Sequence, residues 1–119
     1  MDKVSSTVDL LAAAIAAEGQ RQKAIASNIA NLETPGYRRV DVKFEEVLAK
    51  AMDSEGKVDV SKVEPVVYQP RNTPVRPNGN DVNLETEVGH MIKNSLRHKT
   101  LVRLLDKKVR GIDKIINVP

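Results

Sequence analysis

The sequence contains no cysteine and no tryptophan, and it has very few aromatic residues. Without cysteine, the chain can form neither a disulfide framework nor a thiolate metal site. Its aromatic residues, Tyr37, Phe44 and Tyr68, are too few to fill a bulky interior, so any core must consist of aliphatic residues and alanine. Aliphatic side chains suit narrow seams between helices. We therefore expect an elongated protein.

Long hydrophobic runs are also missing. The most apolar stretch, residues 10–17, is far shorter than the roughly 20 residues that a membrane-spanning helix needs. It resembles the apolar part of a secretory signal peptide, but Asp2 and Asp9 interrupt that pattern and the helical periodicity continues beyond it. We interpret it as part of a mature helix and predict no direct membrane insertion.

The net charge of +3 is weak for a protein that binds nucleic acid. The excess lies in residues 81–119, and a nucleic-acid surface would usually be more basic and would carry aromatic stacking residues. We therefore predict no nucleic-acid partner. The alternative function is a small basic helical adaptor that binds nucleic acid or an acidic protein through its C-terminal helix.

Signals of catalysis are lacking as well. The sequence has no glycine-rich phosphate loop, no nucleophile elbow and no Ser/His/Asp context. The histidines, His90 and His98, are not spaced as a one-turn chelating pair. We predict that the protein is not an enzyme and that it has no catalytic, cofactor-binding or metal-binding residues.

Apolar residues recur near each end of the chain at alternating steps of three and four. This spacing is the heptad rule for a helix that buries one narrow seam. Asn83 can cap the start of the second such helix, and the acidic and basic residues near its two ends match the helix dipole. We predict two long helices whose coiled-coil seam consists of Val8, Leu11, Ile15, Ile25, Ile29, Val88, Met91, Val102, Leu105, Val109 and Ile112.

Polar residues replace apolar ones in the middle of both heptad patterns. If the two helices lie antiparallel, Glu18 falls opposite His98, and Gln22 falls opposite Ser95. These four residues would form one polar layer, which fixes the register of a coiled coil at some cost in stability. We predict that the helices pair in this register, either within one chain or between neighbouring subunits.

The segment between the helices is predicted to be short and irregular. Residues 41–52 have the pattern of a short amphipathic helix, the stretch VEPVVYQP favours an edge strand, and RNTPVRPNGND favours a loop. The predicted fold class is mainly α. We predict an N-terminal coiled-coil helix in residues 1–33, a middle segment of turn, short helix and irregular or β structure in residues 34–80, and a C-terminal coiled-coil helix in residues 81–119.

The tetrapeptide Thr34-Pro35-Gly36-Tyr37 ends the first helix. Pro35 lacks an amide hydrogen and restricts the residue before it, so the helix must finish near Asn31 or Leu32. Gly36 accepts a positive φ, which makes Pro35-Gly36 the natural centre of a type II turn. Taken alone, the tetrapeptide is a stop signal.

Asn28 and Asn31 lie three residues apart on one face of the helix that leads into this turn. Their amides could cap the helix end, or they could bond the following turn or a neighbouring subunit. For Tyr37 the alternatives are packing under its own loop and a contact between subunits.

Asn28-Ile29-Ala30-Asn31 followed by Thr34-Pro35-Gly36-Tyr37 resembles the N-terminal signature of the axial proteins of the bacterial flagellum, which include rod, hook and hook-associated subunits. Near the other end, Asn94-Ser95-Leu96-Arg97 followed by Leu101-Val102-Arg103-Leu104-Leu105 is similar to the proteins of the proximal rod. The resemblance implies that Asn28, Asn31, Thr34, Pro35, Gly36 and Tyr37 form an assembly motif.

The resemblance also implies a function. Proteins of this family are structural subunits that self-assemble in the periplasmic rod of the basal body and transmit torque from the inner-membrane ring to the distal rod and hook. Their terminal helices are loosely ordered in the monomer and form coiled-coil layers in the tube. The implied partners are other rod proteins, the hook-basal-body adaptor at the membrane ring, and the type III export apparatus, which exports such proteins without a cleaved signal peptide.

Overall fold

The computed structural model describes the backbone of residues 2–116 and the side-chain surroundings of residues 6–112. Its elements are helix α1 (Asp2–Ala30), strand β1 (Asp41–Val42), helix α2 (Phe44–Ala51), a 3-10 turn (Val60–Lys62), strand β2 (Val67–Tyr68) and helix α3 (Leu84–Ile116). The predicted fold class is confirmed. The molecule measures 68 × 29 × 18 Å and is elongated, as expected. Met1 and residues 117–119, at the ends of the predicted terminal segments, lie outside the described residues.

The helices α1 and α3 form an antiparallel hairpin. Two hydrogen bonds show the direction, because Asn28 near the end of α1 bonds Glu87 near the start of α3, while Gln22 bonds Asn94 further along. The start of α3 is capped as predicted, since the amide of Thr86 donates to the side-chain oxygen of Asn83 (3.0 Å).

The hairpin turns a different face of α3 towards α1 than the heptad pattern indicated. Val88, Val102 and Val109 of the predicted seam are exposed. Glu87, which directly precedes Val88, and Asn94 are buried instead. Because Glu87 and Asn94 bond α1, the face of α3 that carries them lies towards α1. Val88, Val102 and Val109 lie on another face and point away from α1.

A second face of α1, which the heptad pattern did not indicate, packs against the middle segment. Alanines on this face are buried with residues from β1, α2 and the loop beyond, and the buried members are Ala13, Ala17, Ala24, Val42, Val47, Ala51 and Val58. Because alanine has only a methyl side chain, α2 can approach α1 closely here. The result is a small core that belongs to the single chain.

The middle segment follows the predicted elements with shifted boundaries. The expected helix over 41–52 begins at Phe44, because Asp41 and Val42 pair as a strand with Val67 and Tyr68. The antiparallel register aligns Asp41 with Tyr68 and Val42 with Val67. Between α2 and β2, hydrogen bonds from the side chain and the amide of Ser61 to Asp59 lower the pKa of that carboxyl below its usual range.

Candidate assembly site

The turn after α1 has the geometry that the sequence predicted. The amide of Tyr37 donates to the carbonyl of Thr34 (3.2 Å). Gly36 has φ 75°, which the third residue of a type II turn requires and which glycine adopts without steric cost. Pro35 and Gly36 are exposed at the end of the hairpin, and Tyr37 is half-buried beneath them.

Asn28 holds this turn to α1 and also joins it to α3. Its side chain is fully buried, with a relative exposure of 0%. The amide nitrogen donates to the carbonyl of Val40 (2.9 Å) and to Oε2 of Glu87 (3.1 Å). The amide oxygen accepts from the backbone N–H of Val40 (2.8 Å) and from the hydroxyl of Tyr37 (3.1 Å). An asparagine amide can donate two hydrogen bonds and accept two, so Asn28 is fully satisfied within the chain.

Asn31 and Tyr37 also find partners in their own chain. Asn31 donates to the carbonyl of Ser27 (2.8 Å) and accepts from the hydroxyl of Thr34 (3.0 Å), so it combines helix-end bonding with a bond to the turn. The Tyr37 hydroxyl also lies 3.0 Å from the Ser27 hydroxyl. These bonds are those of packing under the chain's own loop. The contact between subunits expected for Tyr37 stays a prediction.

Buried charges surround Asn28, and the sequence reasoning missed them. Nε of Arg39 donates to Oε1 of Glu87 (2.7 Å), and both side chains are buried. The Arg39 amide donates to Oδ1 of Asp81 (2.6 Å), while Nε of Arg38 donates to Oδ2 of the same carboxylate (3.1 Å). Both oxygens of each carboxylate are therefore bonded. These contacts join the residues between the turn and β1 to the start of α3.

A loop from the far end of the middle segment closes the end of α1. Asn80, with 0% exposure, donates to the carbonyls of Asn31 (2.8 Å) and Thr34 (2.9 Å), and Arg76 donates to the carbonyl of Leu32. The last carbonyls of a helix lack partners within the helix, and donors or cations placed there stabilise its negative end. The sequence predicted a loop for residues 71–81, and Asn80 of this loop caps the end of α1.

Gly36 and Gly79 allow the turn and this loop to touch. The Gly36 amide donates to the carbonyl of Asn78 (2.8 Å). A Cβ on Gly79 would stand 3.2 Å from Cα of Gly36, and Gly79 itself has φ 86°. Both the close approach and the backbone conformation require glycine.

The residues of the predicted polar layer lie at one level of the hairpin but do not all bond one another. Gln22 accepts from Nδ2 of Asn94 (2.6 Å), the residue before Ser95. Glu18 is buried and pairs with Arg21 of its own helix (3.2 Å). Ser95 and His98 are exposed, although both line a groove with Glu18 and Gln22. The shared layer therefore centres on Gln22 and Asn94.

The predicted apolar seam is only partly buried in the single chain. Ile25 is buried, and the half-buried members are Val8, Leu11, Ile15, Ile29, Met91, Leu105 and Ile112. Because three further members are exposed on α3, the seam as a whole stays a prediction for the assembled state.

The site has the properties of a structural joint. Its hydrogen bonds and ion pairs connect the end of α1, the turn, the residues just before β1 and the start of α3. The described residues include no group of three or more His, Asp or Glu side chains that could hold a metal ion. In the part of the chain that the structure describes, no helix has the length and apolar content to cross a membrane.

Comparison with known proteins agrees with this picture. Residues 10–38, which cover most of α1 and the whole turn, match the family model for flagella basal body rod proteins. Over these residues the chain is similar to structural proteins of the flagellar basal-body rod, a family that is not one of enzymes.

Curated relatives extend the likeness to nearly the whole chain. Flagellar basal body rod protein FlgB of Aeromonas hydrophila is 29% identical over 87% of this chain and 86% of its own length. FlgB of Bacillus subtilis (strain 168) is 26% identical over 98% of this chain and 97% of its own length. FlgB of Escherichia coli (strain K12) is 25% identical over 98% of this chain and 96% of its own length. The similarity thus includes α3 as well as the N-terminal motif.

Proposed function

We propose that the protein is a subunit of the proximal rod, where it transmits torque from the inner-membrane ring to the distal rod and hook. The observation that supports this position is the similarity to FlgB over both terminal helices, since a fragment of the N-terminal motif alone is common to the axial proteins. Torque passes through a tube only if its subunits are joined firmly. The two terminal helices provide the surfaces for such joints.

The exposed face of α3 supports assembly through helices. Leu84, Val88, Ile92 and Leu96 follow one another at steps of four residues, and each is between 41% and 60% exposed. Large apolar side chains arranged in a row on a helix surface are typical of a helix that packs against a partner. In the assembled rod these residues pack against helices of neighbouring subunits.

The partners we propose are copies of this chain, the other rod proteins, and the hook-basal-body adaptor at the membrane ring. The export apparatus handles the chain before assembly, and export requires no cleaved signal peptide. Within the rod, the motif formed by Asn28, Asn31, Thr34, Pro35, Gly36 and Tyr37 holds the two helices of each subunit at a set angle. The polar layer and the apolar seam set the register between them.

Deletion of the gene tests the position in the rod. Purified basal bodies from the deletion strain should show rings without a rod in electron micrographs, and a plasmid copy should restore the rod. Complete rods in motile cells would contradict the proposal. A strain that retains a short rod stub would place the protein further from the inner-membrane ring than proposed.

Solution measurements separate this function from the adaptor alternative. Rod assembly predicts helicity, measured by circular dichroism, that increases as the chain associates, because burial against neighbours offsets the entropy lost on ordering. An adaptor for nucleic acid predicts binding to DNA or RNA that weakens steeply with added salt. Tight, salt-sensitive binding without a rise in helicity on association would favour the adaptor.

A further inference from the structure

A groove runs along one side of the α1–α3 hairpin at the level of the Gln22–Asn94 bond. It has a volume of about 480 Å³ and is open to solvent along the helices. Small residues of α1, Gly19 and Ala26, form one wall, and Ser95 with His98 forms part of the other. The small side chains leave room for another helix to come close to α1.

Two residues that line this groove, Glu18 and Asn94, each have one buried side-chain oxygen without a partner among the described residues. One is Oε2 of Glu18, whose side chain is 4% exposed, and the other is Oδ1 of Asn94, a residue that is 2% exposed. A buried acceptor without a donor is costly, and native structures contain few of them. Both atoms require hydrogen-bond donors that the described residues do not provide.

The charges at the rim of the groove indicate which kind of side chain can donate hydrogen bonds to these two oxygens. Lys23 and Lys99 are exposed on the two walls of the groove, so an incoming lysine or arginine would be repelled. A neutral amide can donate two hydrogen bonds, enough for both acceptors. Acidic residues beside that amide would meet the two lysines favourably.

From these observations we infer that the groove receives a helix of a neighbouring rod subunit that carries an asparagine or glutamine, flanked by acidic residues, whose amide donates to Glu18 and Asn94. This inference rests on the proposed function, because the neighbour is a subunit of the same rod. It adds a specific polar contact to the apolar packing already proposed for α3. It also explains why Glu18 is buried although, among the described residues, it pairs only with Arg21 of its own helix.

Site-specific photo-cross-linking in the assembled rod tests the occupant. A benzoylphenylalanine replaces Ala26, which is exposed in the groove, and the same residue replaces exposed Glu55 in a control strain. After irradiation of purified basal bodies, mass spectrometry should find the Ala26 position joined to a helix with an asparagine or glutamine within one turn of the cross-link. The Glu55 position should not capture that peptide.

A substitution at Glu18 distinguishes a contact with the neighbouring subunit from a role in the stability of the single chain. Glu18→Met keeps the side-chain volume but removes both carboxylate oxygens, the unpartnered one and the one that pairs with Arg21. Arg21 retains Asp41 as an acidic neighbour (3.9 Å), so the loss of its pair with Glu18 should cost the isolated chain little. In the isolated chain it should leave the thermal melting temperature unchanged or raised. When parent and variant chains are co-expressed, basal bodies should contain about tenfold less of the variant, as expected for the loss of a hydrogen bond to a charged acceptor. Glu55→Met should be incorporated as well as the parent chain.

The outcomes separate the inference from the proposed function. If the chain is present in rods but Ala26 captures nothing, or captures a peptide without an amide side chain near the cross-link, the inference is wrong and the function stands. The inference also fails if Glu18→Met lowers the melting temperature or is incorporated normally. Absence of both labelled chains from basal bodies that contain complete rods would overturn the proposed function itself.

Discussion

At the scale of the residue, Asn28 shows why one side chain type is required at one position. No other side chain of similar size donates two hydrogen bonds and accepts two, and its four bonds join α1 to Tyr37, Val40 and Glu87. Aspartate has the same shape but donates none when ionised. It would also place a second negative charge beside Glu87.

Asn28→Ala should destabilise the chain by about 3 kcal/mol, because several buried partners of the amide lose a hydrogen bond at once. The measurement is urea unfolding of the purified chain, followed by circular dichroism. Asn72→Ala, at an exposed position, is the matched control and should change the free energy of unfolding by less than about 0.5 kcal/mol. Equal effects of the two substitutions would contradict the central role of Asn28.

Glycines with positive φ allow a second comparison between residues. Gly79 and Gly56 have φ 86° and 81°, but only Gly79 has a neighbour within 4 Å of an added Cβ. Gly56→Ala should therefore cost about 1 kcal/mol from backbone conformation alone. Gly79→Ala should cost clearly more, because the added methyl group also separates the loop from the turn. Thermal unfolding of both variants tests this order, and a larger loss for Gly56→Ala would disprove it.

At the scale of the element, the start of α3 is fixed by buried ionic contacts more than by apolar packing. Glu87 and Asp81 each receive hydrogen bonds from Arg39, which lies between the turn and β1, while several apolar residues of α3 remain exposed. Buried ion pairs contribute little net stability compared with apolar substitutes, but they penalise wrong arrangements. Here they define how α3 meets the turn and the residues that follow it.

Removal of one partner of the buried Arg39–Glu87 pair should be strongly destabilising. We expect Arg39→Met and Glu87→Gln each to lower the free energy of unfolding by about 3 to 5 kcal/mol. Each substitution leaves the other side chain buried without its partner of opposite charge. The double variant should lose less than the sum of the two. The exposed Asp106–Arg110 pair in α3 is the control, and its disruption should cost less than about 0.5 kcal/mol. Additive losses at Arg39 and Glu87 would show that the two do not act together.

The sequence predicted the helix ends and the turn correctly, because residues close together in the chain determine them. The proline after Thr34 ended α1, Asn83 capped α3, and the glycine of the turn took positive φ. The rotation of α3 was not predictable from periodicity, because Glu87 and Asn94 have the polarity of surface residues and their partners, on α1 and at Arg39, are distant in sequence. The burial of Arg39 was missed for the same reason.

At the scale of the whole molecule, the chain combines a small core of its own with apolar side chains on α3 that remain exposed to solvent. The core lies between the alanine face of α1 and the middle segment, whereas α3 exposes a row of large apolar side chains. A rod subunit needs this combination, since it must hold its own turn in place and still offer helices to its neighbours.

Polar substitutions in the apolar row of α3 should impair assembly without harm to the isolated chain. With Ile92→Lys and Leu96→Lys combined, we expect the free energy of unfolding to change by less than about 0.5 kcal/mol, because both side chains are already largely exposed. Swimming in soft agar and rods in electron micrographs should both be lost. Lys107→Gln, elsewhere on the same helix, should leave motility intact, and normal motility of the double variant would contradict the assembly role of this face.

The sequence by itself determined the helices, the break between them and the motif at their junction, because helix periodicity, proline and glycine act within a few residues along the chain. Only the tertiary structure decided which face of α3 meets α1, which alanines become core, and which charges are buried. Those choices depend on partners distant in sequence: Asn28 lies 59 residues from Glu87, and Gln22 lies 72 residues from Asn94. No local pattern can specify such pairs, since a polar residue on a helix surface looks the same whether solvent or a buried amide receives its hydrogen bonds.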